Sequence, residues 1–448
     1  MKHYIENSYI KYADRNFISY KNNQITFSEF YYNVCTKSRS LKNLNIPNHS
    51  MVGIFLSNPI DIIEIYFSCI QLNLVPIIFP SDISTSLLQK TIRDYNINFL
   101  ITEWLRKKQV QSIDIKLCHY VQELSSSYGG CAPVEFEKNI SNLDAVQSAH
   151  LTSGTTNVPK LVELTFNNFV SSVDLWDMEI QFSHSDKYIQ CLPLNHIAGL
   201  SIIIRSQIKG FETIVMNKFN ASQINYEIDN GATLISLVPS MLKRLLDNRS
   251  GSSFPSHFRG IIIGGDGCSS QLMKRALKNN VPIYKSYGMT ETCSGISGFW
   301  LHQFPDKIDS VGKKFKNVRI TTDNNRLIIQ SPTIAPDKLG NNTLVTSDIG
   351  FIKDKFLFLI GRCDDVVISG GENISLSQIK NVLFKHKNIV DVHLDTYEDD
   401  DYGTKITAFI EVTNNEIKAH HISDYILQNL SKSQCPQDIQ IVDKINHD

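Results

Sequence analysis

MVGIFL (51–56), PIDIIEIYFSCIQLN (59–73) and VPIIFP (75–80) follow one another with hardly a residue between them. The outer two are short apolar runs, which is how a strand covered on both faces reads. The middle run is long enough for a helix, and a helix crossing between two such strands makes them parallel. The triplet is a β-α-β unit. A helix near 86–94 and the run NFLIT (98–102) continue the same beat, so the predicted class is α/β, with doubly wound β-α-β sheets. Asn58, Pro59, Asp61, Glu64 and Asn73 interrupt residues 51–80, so this most apolar region is no membrane span.

Towards the N-terminus, residues 1–50 read as a helix start and then a hairpin, ISYKNNQITF, with Asn22 and Asn23 at its turn. Residues 28–42 have helical spacing. The opening MKHYIENSYIKYADRN lacks the apolar core of a signal peptide. In the other direction, residues 123–148 form a polar surface connection leading into a strand, AVQSAHLT, and then into LTSGTTNVPK (151–160). There Thr152, Ser153, Gly154, Thr155, Thr156 and Lys160 bring hydroxyls, a glycine and a mobile cation together. Small residues let backbone N–H groups turn into a concavity that suits a nucleotide triphosphate. An ordinary Ser/Thr/Gly turn is the alternative. Pro159 stands where the P-loop of G-x-x-x-x-G-K-[ST] form needs glycine, so this is a different loop.

The alternation goes on: a helix in TFNNFVSSVDLWDM, then YIQCLPLNHIAGL (188–200), a strand ending in a structured turn that holds His196. A single histidine there is packed, solvated or catalytic. SIIIRSQIKG is an apolar helix with Arg205 in its middle, which either snorkels or faces a buried anion. Strands TIVMN (213–217), ATLISLVP (232–239) and RGIIIGGDG (259–267) follow, the last ending in Gly264, Gly265 and Asp266. VPIYKSYGMTETC then gathers Tyr287, Gly288, Thr290 and Glu291: an aromatic face for a base, a hydroxyl for a phosphate, and a carboxylate for magnesium. A plain strand end is the alternative. Doubly wound sheets place ligands at the carboxyl ends of their strands.

From residue 311 the texture changes to short strands, an antiparallel or barrel-like piece, with Asp348 at a turn in TSDIG. GRCDDVVISGGENIS (361–375) opens a tail that reads as a small α+β domain. The expected division is therefore 1–361, a large N-terminal domain, and 362–448, a small mobile C-terminal one. Composition is that of a globular protein: 448 residues, 42% hydrophobic, 20% charged, net charge −1. That balance advertises neither nucleic acid nor an anionic membrane surface. Nine scattered cysteines without a C-x-x-C pair favour a reducing compartment over a disulfide framework or zinc site.

Taken in order, TSGTTNVPK, LPLNHIAG, IGGDG, YGMTET, TSDIG and GRCDDVVISGGENIS resemble the signature series of the adenylate-forming superfamily, which holds acyl-CoA synthetases, luciferases and adenylation domains. The resemblance covers nearly the whole chain. LPLNHIAGLSIIIRS, LISLVPSML and NVPIYKSYGMTETCS look most like the o-succinylbenzoate–CoA ligases of menaquinone or phylloquinone synthesis. It implies an acid–thiol ligase in the cytoplasm or plastid stroma, with Mg2+ as cofactor and ATP and CoA as co-substrates. A ligase for another aryl or medium-chain acid, or a catalytically weak acyl or nucleotide binder, are the alternatives. A small carboxylic acid is the expected partner, and self-association into a homo-oligomer is left open.

By that resemblance, residues 152–160 hold the β,γ-phosphates with Lys160 neutralising them, Thr290 contacts the α-phosphate and Glu291 binds magnesium. Tyr287, Gly288 and Gly264–Asp266 flank the adenine side, Asp348 takes the ribose, and Arg362 lies beside it. Asp364 is the hinge, and Gly370, Gly371 and Glu372 line the pantetheine channel. His196 stands where the acyl and pantetheine pockets meet, and Arg205 suits a second carboxylate on the acid. Three features depart from the pattern. Asn157 replaces a glycine, which asparagine's tolerance of left-handed backbone accommodates. Asp266 replaces a small residue. A lysine in a T-G-K turn, expected just past residue 448, is not reached, and Lys444 falls too early to replace it; a chain lacking that lysine is expected to be slow in adenylation.

Overall fold

The computed structural model describes residues 4–124, 142–152, 159–265, 267–336, 342–369, 372–399, 403–413 and 417–445. Contacts divide the chain into two units. One comprises Met1–Ser236, Gly288–Gly295 and Ser331–Asn342; the other comprises Leu237–Tyr287, Ile296–Gln330 and Thr343–Asp448.

In the first unit, the strands Val75–Ile78, Met51–Phe55, Phe99–Thr102 and Leu117–Tyr120 lie side by side in that order, all parallel. Val52, Ile54, Phe99 and Ile101 enter one core and Phe55, Val75, Ile77 and Leu100 another, which is why these strands read as unbroken apolar runs. The helix Pro59–Gln71 covers the first face with Ile63, Tyr66 and Phe67; the helix Thr85–Asp94 covers the second with Leu88 and Ile92. Asn58 starts the former by accepting a hydrogen bond from the Ile60 N–H at 3.0 Å, and Pro59 fills the first helical position. Glu64, buried in this apolar helix, is met by Lys37 Nζ at 2.6 Å and Asn33 Nδ2 at 2.9 Å. Gly53 is required, since a Cβ there would lie 2.7 Å from the Phe79 ring.

A second parallel set in this unit runs Asn16–Tyr20, Glu212–Val215, Lys187–Gln190 and Leu234–Leu237, edged by the antiparallel Asn23–Thr26. The strand expected over 188–200 ends at Gln190, because Pro193 and the helix Ile197–Lys209 take over. Several strands escaped the sequence reading, among them Leu117–Tyr120 and Ser294–Trp300, and one of them bears on the site. Lys160–Thr165 pairs antiparallel with Val146–Thr152, so the hydroxyl-rich loop joins two strands.

In the second unit, Gly260–Ile263 and Ile283–Met289 are parallel. Arg319–Asp323, Arg326–Gln330, Thr343–Lys353 and Phe356–Arg362 form an antiparallel meander, turned at Asn324 and Asn325, both left-handed. Asp348, expected at a turn, lies inside Thr343–Lys353 beside an irregularity at Ile349/Gly350. The smaller C-terminal domain packs the helices Leu376–Lys385 and Ala419–Asn429 on Ile389–Asp399, Gly403–Val412 and Asp438–Val442, around Ile379, Leu383, Ile406, Ile410 and Ile422. Among the described residues no helix is long and apolar enough to cross a membrane, and the eight cysteines are free.

Phe67 is fully buried and meets Tyr4, Phe30 and Tyr66 edge-on. Phe67→Ala is expected to cost about 3–5 kcal/mol, read as a lowered urea midpoint of the first unit.

Candidate functional site

Two clusters hold the expected residues, one in each unit. In the first, Thr152 ends its strand and donates to the Lys160 carbonyl at 3.3 Å, and Lys160 begins the next strand. Lys160 is largely exposed, with Nζ 3.9 Å from Glu291 Oε1, so cation and carboxylate are neighbours without being locked together. Thr290 and Glu291 sit on the short 3-10 turn Thr290–Thr292. Thr292 clamps that turn: its hydroxyl accepts from the Met289 N–H at 2.9 Å and lies 2.6 Å from the Ser294 carbonyl. Gly288 cannot carry a side chain, since a Cβ would stand 2.0 Å from the Ser294 carbonyl oxygen. Ser153, Gly154, Thr155, Thr156, Asp266, Gly370 and Gly371 lie outside the described residues.

A magnesium ion takes oxygen ligands and is usually held by one or two carboxylates together with substrate phosphates. Glu291 fits: its carboxylate is partly exposed and is approached by Lys160 only at 3.9 Å.

His196 occupies the N-cap position of the helix Ile197–Lys209 but does not cap it with its side chain. His196 is exposed to solvent, yet enough protein lies around it for desolvation to lower its proton affinity. Gly199 is what lets this turn close, because a Cβ would lie 2.4 Å from the Pro193 carbonyl oxygen. Further along the same helix, Arg205 is 2% exposed. Its guanidinium stacks 4.4 Å from the Trp176 ring and donates to Ser294 Oγ at 2.8 Å, while its Nε has no hydrogen-bond partner among the described residues. Among the described residues no carboxylate pairs with it. Burial disfavours its charge, and Tyr188 and Cys293 act the other way. Cys293 and Ser294 both have positive φ, at 49° and 104°, which aims Ser294 at Arg205.

In the second unit, Tyr287 donates its hydroxyl to Asp348, and Arg362 reaches Asp348 Oδ1 at 3.3 Å. Arg362 also grips Asp364 with a two-pronged contact, both bonds 2.8 Å. Burial would raise the Asp364 pKa, but hydrogen bonds from Arg362 and Ser347 outweigh it and hold the carboxyl below its usual value. Gly264 sits 3.0 Å, at its would-be Cβ, from Ser286 Oγ, and Gly265 is left-handed at φ 89°. Glu372 begins the strand Glu372–Ser375 and is exposed.

The sequence pattern of the AMP-binding enzymes matches residues 5–326, more than two-thirds of the chain. The chain belongs to the AMP-binding enzyme family. The 2-succinylbenzoate–CoA ligase of Oceanobacillus iheyensis is 27% identical to this AMP-binding enzyme over 444 residues, 94% of this chain and 91% of the relative. That of Bacillus subtilis is 26% identical over 453 residues, covering 95% and 91%. Among solved structures, the B. subtilis o-succinylbenzoate CoA synthetase in complex with OSB-AMP superposes with a TM-score of 0.86 at 24% identity, over 100% of this chain and 95% of that one. ATP-bound MatB from Rhodopseudomonas palustris gives 0.84 at 18% identity, over 100% and 96%.

Sequence reasoning missed Trp176, Tyr188 and Ser294 around Arg205, and a buried histidine, His150. Apart from Ser294, which lies next to the motif YGMTET, nothing in their local sequence marks them. Burial, with a smaller contribution from the charge of His196, lowers the His150 pKa to about 4. A histidine held below its unfolded pKa adds stability above that pKa, and the benefit is lost as pH falls towards the folded value. From pH 7.5 to pH 5, His150 is expected to cost the native state on the order of 2 kcal/mol. His150→Met should remove that loss, measured as a flatter pH dependence of the urea midpoint.

Proposed function

We propose that this AMP-binding enzyme is an ATP-dependent ligase that activates o-succinylbenzoate as its acyl-adenylate and transfers the acyl group to CoA. The observation that carries this reading is Arg205: a buried cation, stacked on an indole, with no carboxylate paired to it among the described residues. A buried charge is stable only if something compensates it. An aromatic dicarboxylic acid supplies that counter-charge, with one carboxylate held by Arg205 while the other reacts. The relatives' names, and the bound OSB-AMP in the B. subtilis structure, agree with that substrate.

In the first step a carboxylate oxygen attacks the α-phosphorus of ATP, and the bond to the bridging oxygen breaks to release pyrophosphate. In the second, the CoA sulfur bonds to the acyl carbon, the bond to AMP breaks with its electron pair leaving on AMP, and the thiol proton is lost. Negative charge builds on phosphate and then carbonyl oxygens, where fixed donors act most strongly. The 152–160 loop and Lys160 serve the β,γ-phosphates, and Thr290 serves the α-phosphate. Glu291 would hold magnesium, which would supply further charge neutralisation when bound. Tyr287, Gly288 and the Gly264–Asp266 segment serve adenine, and Asp348 with Arg362 serves ribose. Residues 1–361 act as the large domain, and 362–448 as the small one that swings about Asp364 and brings Gly370, Gly371 and Glu372 to the pantetheine. His196 stands where acyl group and thiol meet. The free cysteines suit a reducing compartment such as the cytoplasm.

ATP–pyrophosphate exchange is expected with o-succinylbenzoate and not with benzoate or a fatty acid; exchange confined to another acid would overturn the substrate. Arg205→Ala should raise KM for the dicarboxylate roughly 30-fold or more, as loss of a buried charged hydrogen bond implies, with little change for a monocarboxylate. Equal effects on both acids would end the role given to Arg205. Lys160→Ala should lower the exchange rate roughly 10²-fold.

A further inference from the structure

Within the second unit, the helix Pro239–Arg249 meets the small C-terminal domain across a seam that has no part in the reaction as described. Lys243 of that helix forms an ion pair with Glu411 of the strand Gly403–Val412. Both side chains are nearly dry, 14% and 11% exposed. The other Glu411 oxygen accepts the Ile445 N–H at 3.2 Å, so one carboxylate ties the stretch after the final strand to the same pair.

The apolar part of the seam is loosely filled. Phe384 faces Gly267, whose would-be Cβ stands 3.3 Å from the ring. Beside that contact lies a cavity of about 220 Å³, lined among others by Val238, Leu272, Phe384 and Val390. A void forgoes the dispersion contacts that a packed core makes, which leaves the ion pair a large share of the hold. Two charges this dry are stable only together. With the domain seated, loss of one strands the other away from water; with the domain swung off, either is free to hydrate. The pair therefore favours the seated pose over the swung one. That seat adjoins the segment given to adenine: Gly267 follows directly on Gly264–Asp266, and the would-be Cβ of Gly265 is 3.4 Å from Val238, which leads into the helix.

We infer that Lys243 and Glu411 are positioning residues forming a latch, which seats the small domain for acyl-adenylate formation and must break before thioester formation. The inference rests on the proposed ligase activity and on the swing about Asp364. Latch strength sets how often the domain leaves its seat. Weakening the latch therefore raises the swung population and quickens the second step, which loss of a merely structural contact would not do.

The test compares Lys243→Met, Glu411→Gln, the two together, and Lys243→Arg with the wild-type chain. Single-turnover thioester formation from preformed acyl-adenylate, at saturating CoA, should rise roughly tenfold in each charge-removing single variant, a modest share of what stranding one partner of a buried pair costs. ATP–pyrophosphate exchange should not rise with it. The double variant strands no charge and should be no faster than either single. Lys243→Arg keeps the charge and should stay within about twofold of wild type. Transfer that is unchanged or slowed in both single variants, or exchange that quickens alongside it, would overturn the latch. Amide hydrogen exchange on the same proteins is a readout independent of activity: residues 239–249 and 404–412 should exchange faster in Lys243→Met than in wild type, and equal rates would also overturn the latch. A wild type that neither exchanges pyrophosphate nor forms thioester would sink the ligase reading instead, and the amide rates would still decide whether the pair holds the seam.

Discussion

The backbone at Gly288 runs so close to Ser294 and Gly295 that not even a methyl group fits between them. Much of the site depends on that approach. It folds residues 288–295 into one closed turn, clamped by the Thr292 hydroxyl at both ends. Thr290, Glu291 and Ser294 therefore take their positions from a single piece of backbone geometry. The residues proposed for phosphate and for magnesium and the partner of the buried arginine are set together, and Tyr287 leads into the turn along the same strand.

Arg205 shows how the protein tolerates an unmatched charge. A guanidinium is less strongly hydrated than an ammonium and can rest on an aromatic face, so Trp176 lowers the cost of keeping it dry. The Ser294 hydroxyl satisfies one donor at 2.8 Å, and the orphaned Nε leaves another unmet. Full satisfaction would make a stable core and a poor binding site. Under the proposed function, that residual demand is what a substrate carboxylate would meet.

The β-α-β rhythm was legible because strands covered on both faces leave unbroken apolar runs, as at Val52–Phe55. The candidate site residues were named by resemblance, and the structure brings Lys160 to Glu291 and Arg362 to both Asp348 and Asp364. Lys160–Thr165 was not legible as a strand: KLVELT is short and follows a proline, and pairing with Val146–Thr152 supplies what its pattern lacks. Asp348 looked like a turn residue because Gly350 follows it, whereas that glycine serves an irregularity within a strand. The buried hydrogen bonds linking Gln147, Tyr66, Ser148 and His150 were invisible because they depend on a bulge and on a tyrosine from a distant helix, neither of which leaves a local periodicity.

The first unit draws on three separated stretches of chain, and this has a consequence for biosynthesis. Asn168 donates to the carbonyls of Pro332 and Ile334, Ser172 to that of Cys293, and Arg205 to Ser294. On the ribosome these buried groups emerge long before their partners do. The nascent first unit thus carries unmet polar groups and open apolar surface until more than a hundred further residues have been synthesised. Such long-range closure makes for slow folding and a window in which chaperones compete with aggregation. Translation pauses placed between these segments would act on solubility before they acted on activity.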